Sequence, residues 1–339
     1  MRLRSFLLFT APTLLLMTAL LALPLATTFW LSVHSCAPQF DLVTVQQSGP
    51  FGPRELTTQR ARLDSRGHPV ENCKFVGLSY YANFIGLGGS ASGQAADLQQ
   101  AGAPEVASGT SNRVFLAALS FTLLYIAATT PFVIFFGMTL ALCINAMHRR
   151  ARGFFISASL LPFVITPVVG ALCIKWLFRD DGLVAQLLAI GGVHIYWMGQ
   201  AWSAQLLVIL YGIWQVSPFA FIVFYAGLQS VPQDTLEAAT LDGASGWQKL
   251  RYVVLPHLAP LIVFVSLIHI MDAYRVFEPV LVLTKGAFST SVQYLTYYVL
   301  LQENNPYKAS AAAVLTLTGI AILLVPLLRR TWREQRGLA

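Results

Sequence analysis

Six long stretches of this 339-residue chain carry no Asp, Glu, Lys or Arg: 5–40, 114–148, 153–174, 182–233, 252–271 and 309–328. A hydrocarbon core about 30 Å thick is crossed by a helix of roughly 20 residues, so each stretch is long enough to span it. Only 11% of residues are charged, against about 25% in an ordinary soluble domain. The mean hydropathy is +0.62. These features predict an all-α integral membrane protein. We place six transmembrane helices near 6–33, 114–146, 155–177, 203–228, 257–278 and 309–328. The 182–233 stretch has room for two helices. Its first part is interrupted by Gly191-Gly192 and ends in Tyr196, Trp197 and Trp202. That pattern suits an interfacial piece with an aromatic belt better than a seventh span. The apolar run after "MRLR" exceeds the 7–15 residues of a signal-peptide core, so it reads as a retained first span.

Charge sets the orientation. With the N-terminus inside, short inside segments hold Arg2, Arg4, Arg149, Arg150, Arg152, Lys249, Arg251, Arg329, Arg330, Arg333 and Arg336. Short outside segments hold mainly Arg179, Lys285 and Lys308. By the positive-inside rule both termini are cytoplasmic. The net charge of +7 reflects this asymmetry and not nucleic-acid binding. Residues 34–112 then form an extracytoplasmic insertion rich in Gly, Ser, Gln and Pro, read as a small cap or a partly disordered segment. It contains Cys36 and Cys73. A disulfide between them is chemically permitted outside the cytoplasm, and two free thiols are the alternative. Cys143 and Cys173 fall in spans and read as packing residues. No nucleotide-binding phosphate loop, metal-ligand spacing or catalytic constellation is present in the sequence. The expectation is a non-enzyme with no catalytic residue, no metal and no cofactor of its own, embedded in lipid.

The loop 229–256 joins the fourth and fifth spans and is too long for a passive connection of 2–8 residues. Its core reads "EAATLDGASGWQKLRYVVLP". Pro232 suits a first helical turn, and Asp234 and Glu237 sit where a helix N-terminus favours negative charge. Glu237-Ala238-Ala239 has little bulk. Asp242-Gly243 signals a turn, after which "SGWQ" has the form of a capping box. Leu250, Val253 and Val254 follow at helical spacing, and Pro256 closes the segment before the next span. The residues alone describe two short helices around a glycine turn. They leave open whether these form a surface built for docking or an amphipathic elbow on the bilayer.

The stretch resembles the E-A-A-x-x-D-G-A-x-x-x-x-x-F-x-x-I-x-x-P loop of ABC importer permeases. Glu237, Ala238, Ala239, Asp242, Gly243, Ala244 and Pro256 match; Leu250 replaces the usual Phe, and Val253 and Val254 flank the usual Ile. "GFFISASLLPFVITPVVGALCIKWLF", "WQVSPFAFIVFYAGLQSVPQDTLEAA" and "YRVFEPVLVLTKG" resemble the carbohydrate-type branch, which includes maltose- and glycerol-3-phosphate-like systems. The resemblance covers roughly 113–328, the permease domain, and leaves a cytoplasmic basic tail at 329–339. The insertion is not matched, and the usual Asn-Thr pair of the second span is altered to "SFT" at 120–122. The resemblance implies that the loop is a coupling helix docked in a cleft of a separate ATPase. Glu237 would pair with basic ATPase groups, and Gly243 would make the turn. It also implies a second homologous permease, two copies of the ATPase subunit carrying the ATP and Mg, and an extracytoplasmic solute-binding protein. The solute is expected to be a sugar, with a polyol, glycerol phosphate or polyamine as alternatives.

Intramembrane charge is costly and tends to be functional. The fifth span carries His269, Asp272, Arg275 and Glu278, and Asp272 and Arg275 are spaced to neutralise each other. By spacing from the loop in maltose-type relatives, His269, Asp272, Ala273 and Val276 are candidates for the solute path, with Gln215 and Phe219 from the fourth span. Arg275 is a further candidate or half of a bracing ion pair. An ion-driven secondary carrier would call for inverted repeats and several buried carboxylates, and an intramembrane enzyme for paired acids or metal ligands; the sequence shows neither.

Overall fold

The computed structural model describes residues 3–38, 40–49, 52–61, 71–86, 111–192 and 194–337. The parts of the expected insertion at 62–70 and 87–110, Arg2, and the side chains of Arg4 and of the basic tail from Arg330 onward lie outside that description. The chain divides into two compact units, one formed by 1–89 with 298–315 and the other by 90–297 with 316–339.

The first unit begins with the helix α1, Leu3–Val33. Four strands follow where the sequence suggested a cap or disorder: β1 His34–Pro38, β2 Phe40–Gly49, β3 Gly52–Ala61 and β4 Glu71–Phe75. Strands β2 and β3 pair antiparallel along their whole length, with Gly49 opposite Gly52. Val43, Thr44, Val45, Thr57 and Thr58 supply the β-branched content such a ribbon favours. Strand β1 pairs antiparallel with β4, which places Cys36 opposite Cys73, and the two form a disulfide. A short helix α2, Ser79–Ile85, follows, and Tyr81 donates from its hydroxyl to Ser32 Oγ at 2.7 Å. Alkylation of the denatured, unreduced chain is therefore expected to label two of its four cysteines; labelling of all four, read by intact mass, would contradict the pairing.

The second unit holds α3 Ser111–Ala146, α4 Arg149–Val164, α5 Pro167–Leu177, α6 Leu183–Ile190, α7 Ala201–Gln229, α8 Gln233–Leu241, α9 Gly246–Lys249 and α10 Leu255–Tyr274. Helices α11, Val292–Leu301, and α12, Pro306–Gly337, run through both units. Among the described residues five helices are long and apolar enough to span, and a sixth span exists if α4 and α5 count as one. That pair corrects the single helix expected at 155–177. The axis bends by 93° between them. Thr166 is extended, with ψ 140, because the ring of Pro167 disfavours helical geometry in the residue before it. Ahead of α7, the described residues of the segment 183–200 hold the eight-residue α6, too short to span.

The fifth span also differs from expectation. It runs unbroken from Gly246 to Tyr274, and Pro256 does not end the preceding segment. A π-helical turn at Leu250–Val254 precedes α10, so Leu255 donates to the Leu250 carbonyl one residue further back than in an α-helix. This widened turn absorbs the missing N–H of Pro256. The span stops at Tyr274, short of the expected 278, and the last helix extends beyond the expected 309–328 at both ends.

Small residues set the closest helix approach. A β-carbon on Gly137 of α3 would lie 2.5 Å from Ala220 Cβ and 2.9 Å from the Phe221 backbone nitrogen of α7. Ala141, one turn on, is fully buried, so Gly137 and Ala141 form a small-residue stripe of the kind membrane helices use to pack. Val133, Phe221, Phe224, Leu258 and Val265 complete the core of α3, α7 and α10.

Candidate functional site

The loop after α7 is ordered by its own sequence. Helix α8 has Pro232 at its N-cap and Asp234 in its first turn. It ends at Asp242, and Gly243 turns the chain with φ 76, a left-handed conformation that glycine adopts without cost. Ala244 N–H donates to the Ala239 carbonyl at 2.9 Å, closing the helix end. Helix α9 then starts from a complete capping box: Gln248 N–H donates to Ser245 Oγ, and Ser245 N–H donates to Gln248 Oε1 at 2.7 Å. Lys249 Nζ donates to Thr240 Oγ1 at 2.9 Å, tying the two short helices across the turn.

The loop has an inner and an outer side. Leu236 and Leu250 pack against the core built from α3, α7 and α10. Outward, Glu237, Ala238, Asp242 and Gly243 are exposed, and Ala239 and Ala244 are half-buried. Leu241 is 89% exposed and Trp247 66%. Glu237 makes no ion pair among the described residues. The result is a low, small-residue surface carrying the carboxylates of Glu237 and Asp242, neither in an ion pair among the described residues, flanked by two large apolar side chains. Nearby bonds hold the loop to its helices: Gln229 donates to Asn145 Oδ1 at 2.9 Å, and Ser230 Oγ and His257 Nε2 are bonded at 3.1 Å.

The residues expected along a solute path differ in exposure. Gln215 and Phe219 are half-buried on α7, and the Phe219 ring stacks on Phe163 at 6.2 Å. His269 is only 2% exposed and faces α3. The single hydroxyl proton of Thr129 goes to the Tyr125 carbonyl at 2.7 Å, so Thr129 Oγ1 accepts from His269 Nε2 at 2.9 Å. His269 Nδ1 has no partner among the described residues. Ala273 and Val276 are also buried, whereas Asp272 and Arg275 are exposed. His269 is thus closed off by packing while Asp272, three residues further along α10, keeps exposed surface. Nor do Asp272 and Arg275 form an ion pair. The helix ends at Tyr274, and Arg275 has left helical geometry, so the three-residue spacing no longer brings the charges together.

His269 therefore acts as an interhelical pin. Thr129→Val is expected to destabilise the chain by about 1–3 kcal/mol, because a buried N–H loses its acceptor. Adding His269→Leu removes the orphan, so the double variant should cost less than the sum of the singles, read as thermal midpoints in detergent.

Sequence reasoning overlooked three polar anchors. Thr122, in the altered "SFT", accepts from the Val292 N–H at 3.1 Å and satisfies an open donor at the start of α11. Lys175, inside the expected third span, donates from Nζ to the Val282 carbonyl at 2.7 Å. Arg152 Nη2 donates to the Asn145 carbonyl at 2.7 Å and closes the end of α3. Each contact joins residues distant in sequence or beyond a helix end, and no local pattern announces it.

Residues 106–336 match the family described as binding-protein-dependent transport system inner membrane component. The chain is 33% identical over 218 residues to a trehalose transport system permease protein of Mycobacterium tuberculosis, covering 62% of this chain and 68% of the relative. It is 30% identical over 222 residues to a lactose transport system permease protein of Rhizobium radiobacter, covering 63% and 74%. A solved bacterial ABC transporter involved in import of the acidic polysaccharide alginate superposes with TM-score 0.60 at 25% identity, covering 65% of this chain and 79% of that one. Fold, loop and relatives agree: the chain belongs to the family of inner-membrane components of binding-protein-dependent transport systems.

Proposed function

We propose that the chain is a permease subunit of an ATP-driven importer for a sugar, and that the loop 229–256 is where a separate ATPase drives it. The observation that carries this reading is the unbroken helix Gly246–Tyr274. Its first turn lies in the docking surface and its body is a membrane span. A displacement of α9 by a closing ATPase moves that span as one lever, the rigid-body coupling on which alternating access depends. The exposed small residues around Glu237 suit close approach of a partner. ATP and Mg belong to two copies of that ATPase. A second permease completes the path, and an extracytoplasmic binding protein delivers the solute. In this reading the loop and both termini face the cytoplasm, in line with the charge asymmetry. Gln215, Phe219, Asp272 and Arg275 stand as the path candidates, since they keep surface to offer a solute while His269, Ala273 and Val276 are closed inside the chain in this conformation.

The relatives are named for trehalose and lactose, which supports a saccharide. The test is purification of the tagged chain co-expressed with its transporter partners, followed by solute-stimulated ATP hydrolysis. An ATPase should co-purify, and trehalose or lactose with the binding protein should stimulate hydrolysis where polyols, glycerol phosphate and polyamines do not. A chain that purifies alone and transports in liposomes without any ATPase would overturn the reading.

A further inference from the structure

At the end of α7 opposite the docking loop, the segments 178–180 and 196–200 border a half-open cleft of about 270 Å³. It is lined by Phe178, Arg179, Asp180, Tyr196, Met198, Gly199 and Gln200. Helix α7 has 29 residues, so at 1.5 Å per residue it sets cleft and loop about 43 Å apart, on opposite sides of the membrane.

The walls of the cleft are held from behind. Ser203, fully buried, shares its single Oγ–H between the Tyr196 and Gln200 carbonyls, at 3.1 and 3.2 Å, which fixes the loop that forms one wall. Phe178 packs edge-on against Trp197 at 5.0 Å and fixes the other. The polar groups are oriented. Trp202 Nε1 donates to Gln200 Oε1 at 2.7 Å, leaving the Gln200 amide NH2 as a free donor. Arg179 Nε is held by Asp181 at 2.8 Å, and its guanidinium lies 5.0 Å from the centre of the Trp176 ring, so its terminal nitrogens remain available. Trp197, only 9% exposed, carries an indole N–H with no partner among the described residues.

A simple aromatic belt at the lipid interface does not account for this set. Belt residues present rings to headgroups, whereas Trp197 is buried behind the cleft and the Tyr196 ring, though largely exposed, borders a concave space beside an arginine, an aspartate and a glutamine. Apolar ring faces combined with planar hydrogen-bonding groups suit a ligand that has both C–H faces and hydroxyls. The volume, near the lower end of small-ligand pockets, fits one or two sugar rings.

We propose that this cleft is a saccharide-binding subsite at the membrane face opposite the coupling loop, where a released sugar is held before it enters the path between the permeases. The Tyr196 and Phe178 rings cover the sugar's apolar face, and Arg179, Asp180 and Gln200 bond its hydroxyls. The proposal rests on the solute being a saccharide.

The test uses the full chain in lipid nanodiscs without any binding protein, with trehalose, maltose and lactose as probes in saturation-transfer NMR. Wild type should transfer saturation to at least one of them. Tyr196→Ala and Gln200→Ala should each reduce the transfer about fivefold, the scale of one lost aromatic or hydrogen-bonding contact, while Leu15→Ala in α1 leaves it unchanged. Tyr196→Phe keeps the ring face and should retain most of the signal, which separates loss of binding from loss of folding. Equal transfer in wild type and both alanine variants would overturn the subsite. So would variants that keep transfer but lose stimulation of ATP hydrolysis by the binding protein, since the cleft would then seat a polypeptide. Absence of transfer from wild type, in a preparation whose ATPase still co-purifies and responds to a sugar, would sink the cleft while leaving the importer reading intact.

Discussion

Replacing Gly137 by leucine is expected to abolish accumulation of folded chain in the membrane. Even a single β-carbon there would sit 2.5 Å from Ala220 Cβ, with the Phe221 backbone nitrogen at 2.9 Å behind it. Backbone atoms cannot step aside, so α3 and α7 must separate. In lipid no hydrophobic drive restores the contact, because hydrocarbon outside is as apolar as the core inside. Overpacking of this kind costs about 1–3 kcal/mol when neighbours can relax. Here Phe221 and Phe224, both fully buried in the same seam, would be displaced as well. Fluorescence-detected size exclusion of a tagged chain should show the folded peak lost for Gly137→Leu and reduced for Gly137→Ala. Adding Ala220→Gly to Gly137→Ala removes the methyl that clashes, so it should recover part of the peak. A wild-type profile for Gly137→Leu would mean that α3 and α7 do not meet as described.

The second large effect is on coupling and not on folding. Glu237 is exposed and makes no ion pair among the described residues, so Glu237→Lys should leave the thermal midpoint unchanged. If Glu237 is the group that basic ATPase side chains grip, reversing its charge both removes an attraction and adds a repulsion at a closed interface. Loss of one partner of a buried charge pair costs about 2–5 kcal/mol, so solute-stimulated ATP hydrolysis should fall at least about thirtyfold. Gly243→Val attacks the same surface differently. A β-carbon at Gly243 meets nothing within 4 Å, but φ of 76 is strained for a branched side chain. The turn should open, α9 should lose its register with α8, and coupling should fall while the spans stay folded. Normal coupling in both variants would show that the ATPase grips another part of the chain.

The charge-free stretches and the loop were legible because their information is local. A membrane span satisfies its own backbone hydrogen bonds, so hydropathy over about 20 residues suffices to mark it. The capping box of Ser245 and Gln248 and the left-handed turn at Gly243 are likewise written within a few residues. Proline was more ambiguous. Pro12, Pro24, Pro131 and Pro218 all remain inside helices, whereas Pro167 sits at a 93° bend. Whether a proline breaks a helix depends on whether neighbours can satisfy the freed carbonyl, which its own sequence does not state.

His269 shows the same division. The sequence places an imidazole in a span; only the packing of α10 on α3 supplies its partner Thr129, 140 residues away. The cleft depends on two segments that a short helix and a glycine pair bring side by side. By itself, then, the sequence determined where most of the spans lie, the two short helices of the loop 229–256 and the likeness to a transporter family, because each follows from backbone satisfaction and turn chemistry within one segment. Tertiary structure alone decided which helix faces meet and which polar groups find partners. Those outcomes depend on the steric fit of small residues such as Gly137 and Ala220, contributed by separate helices.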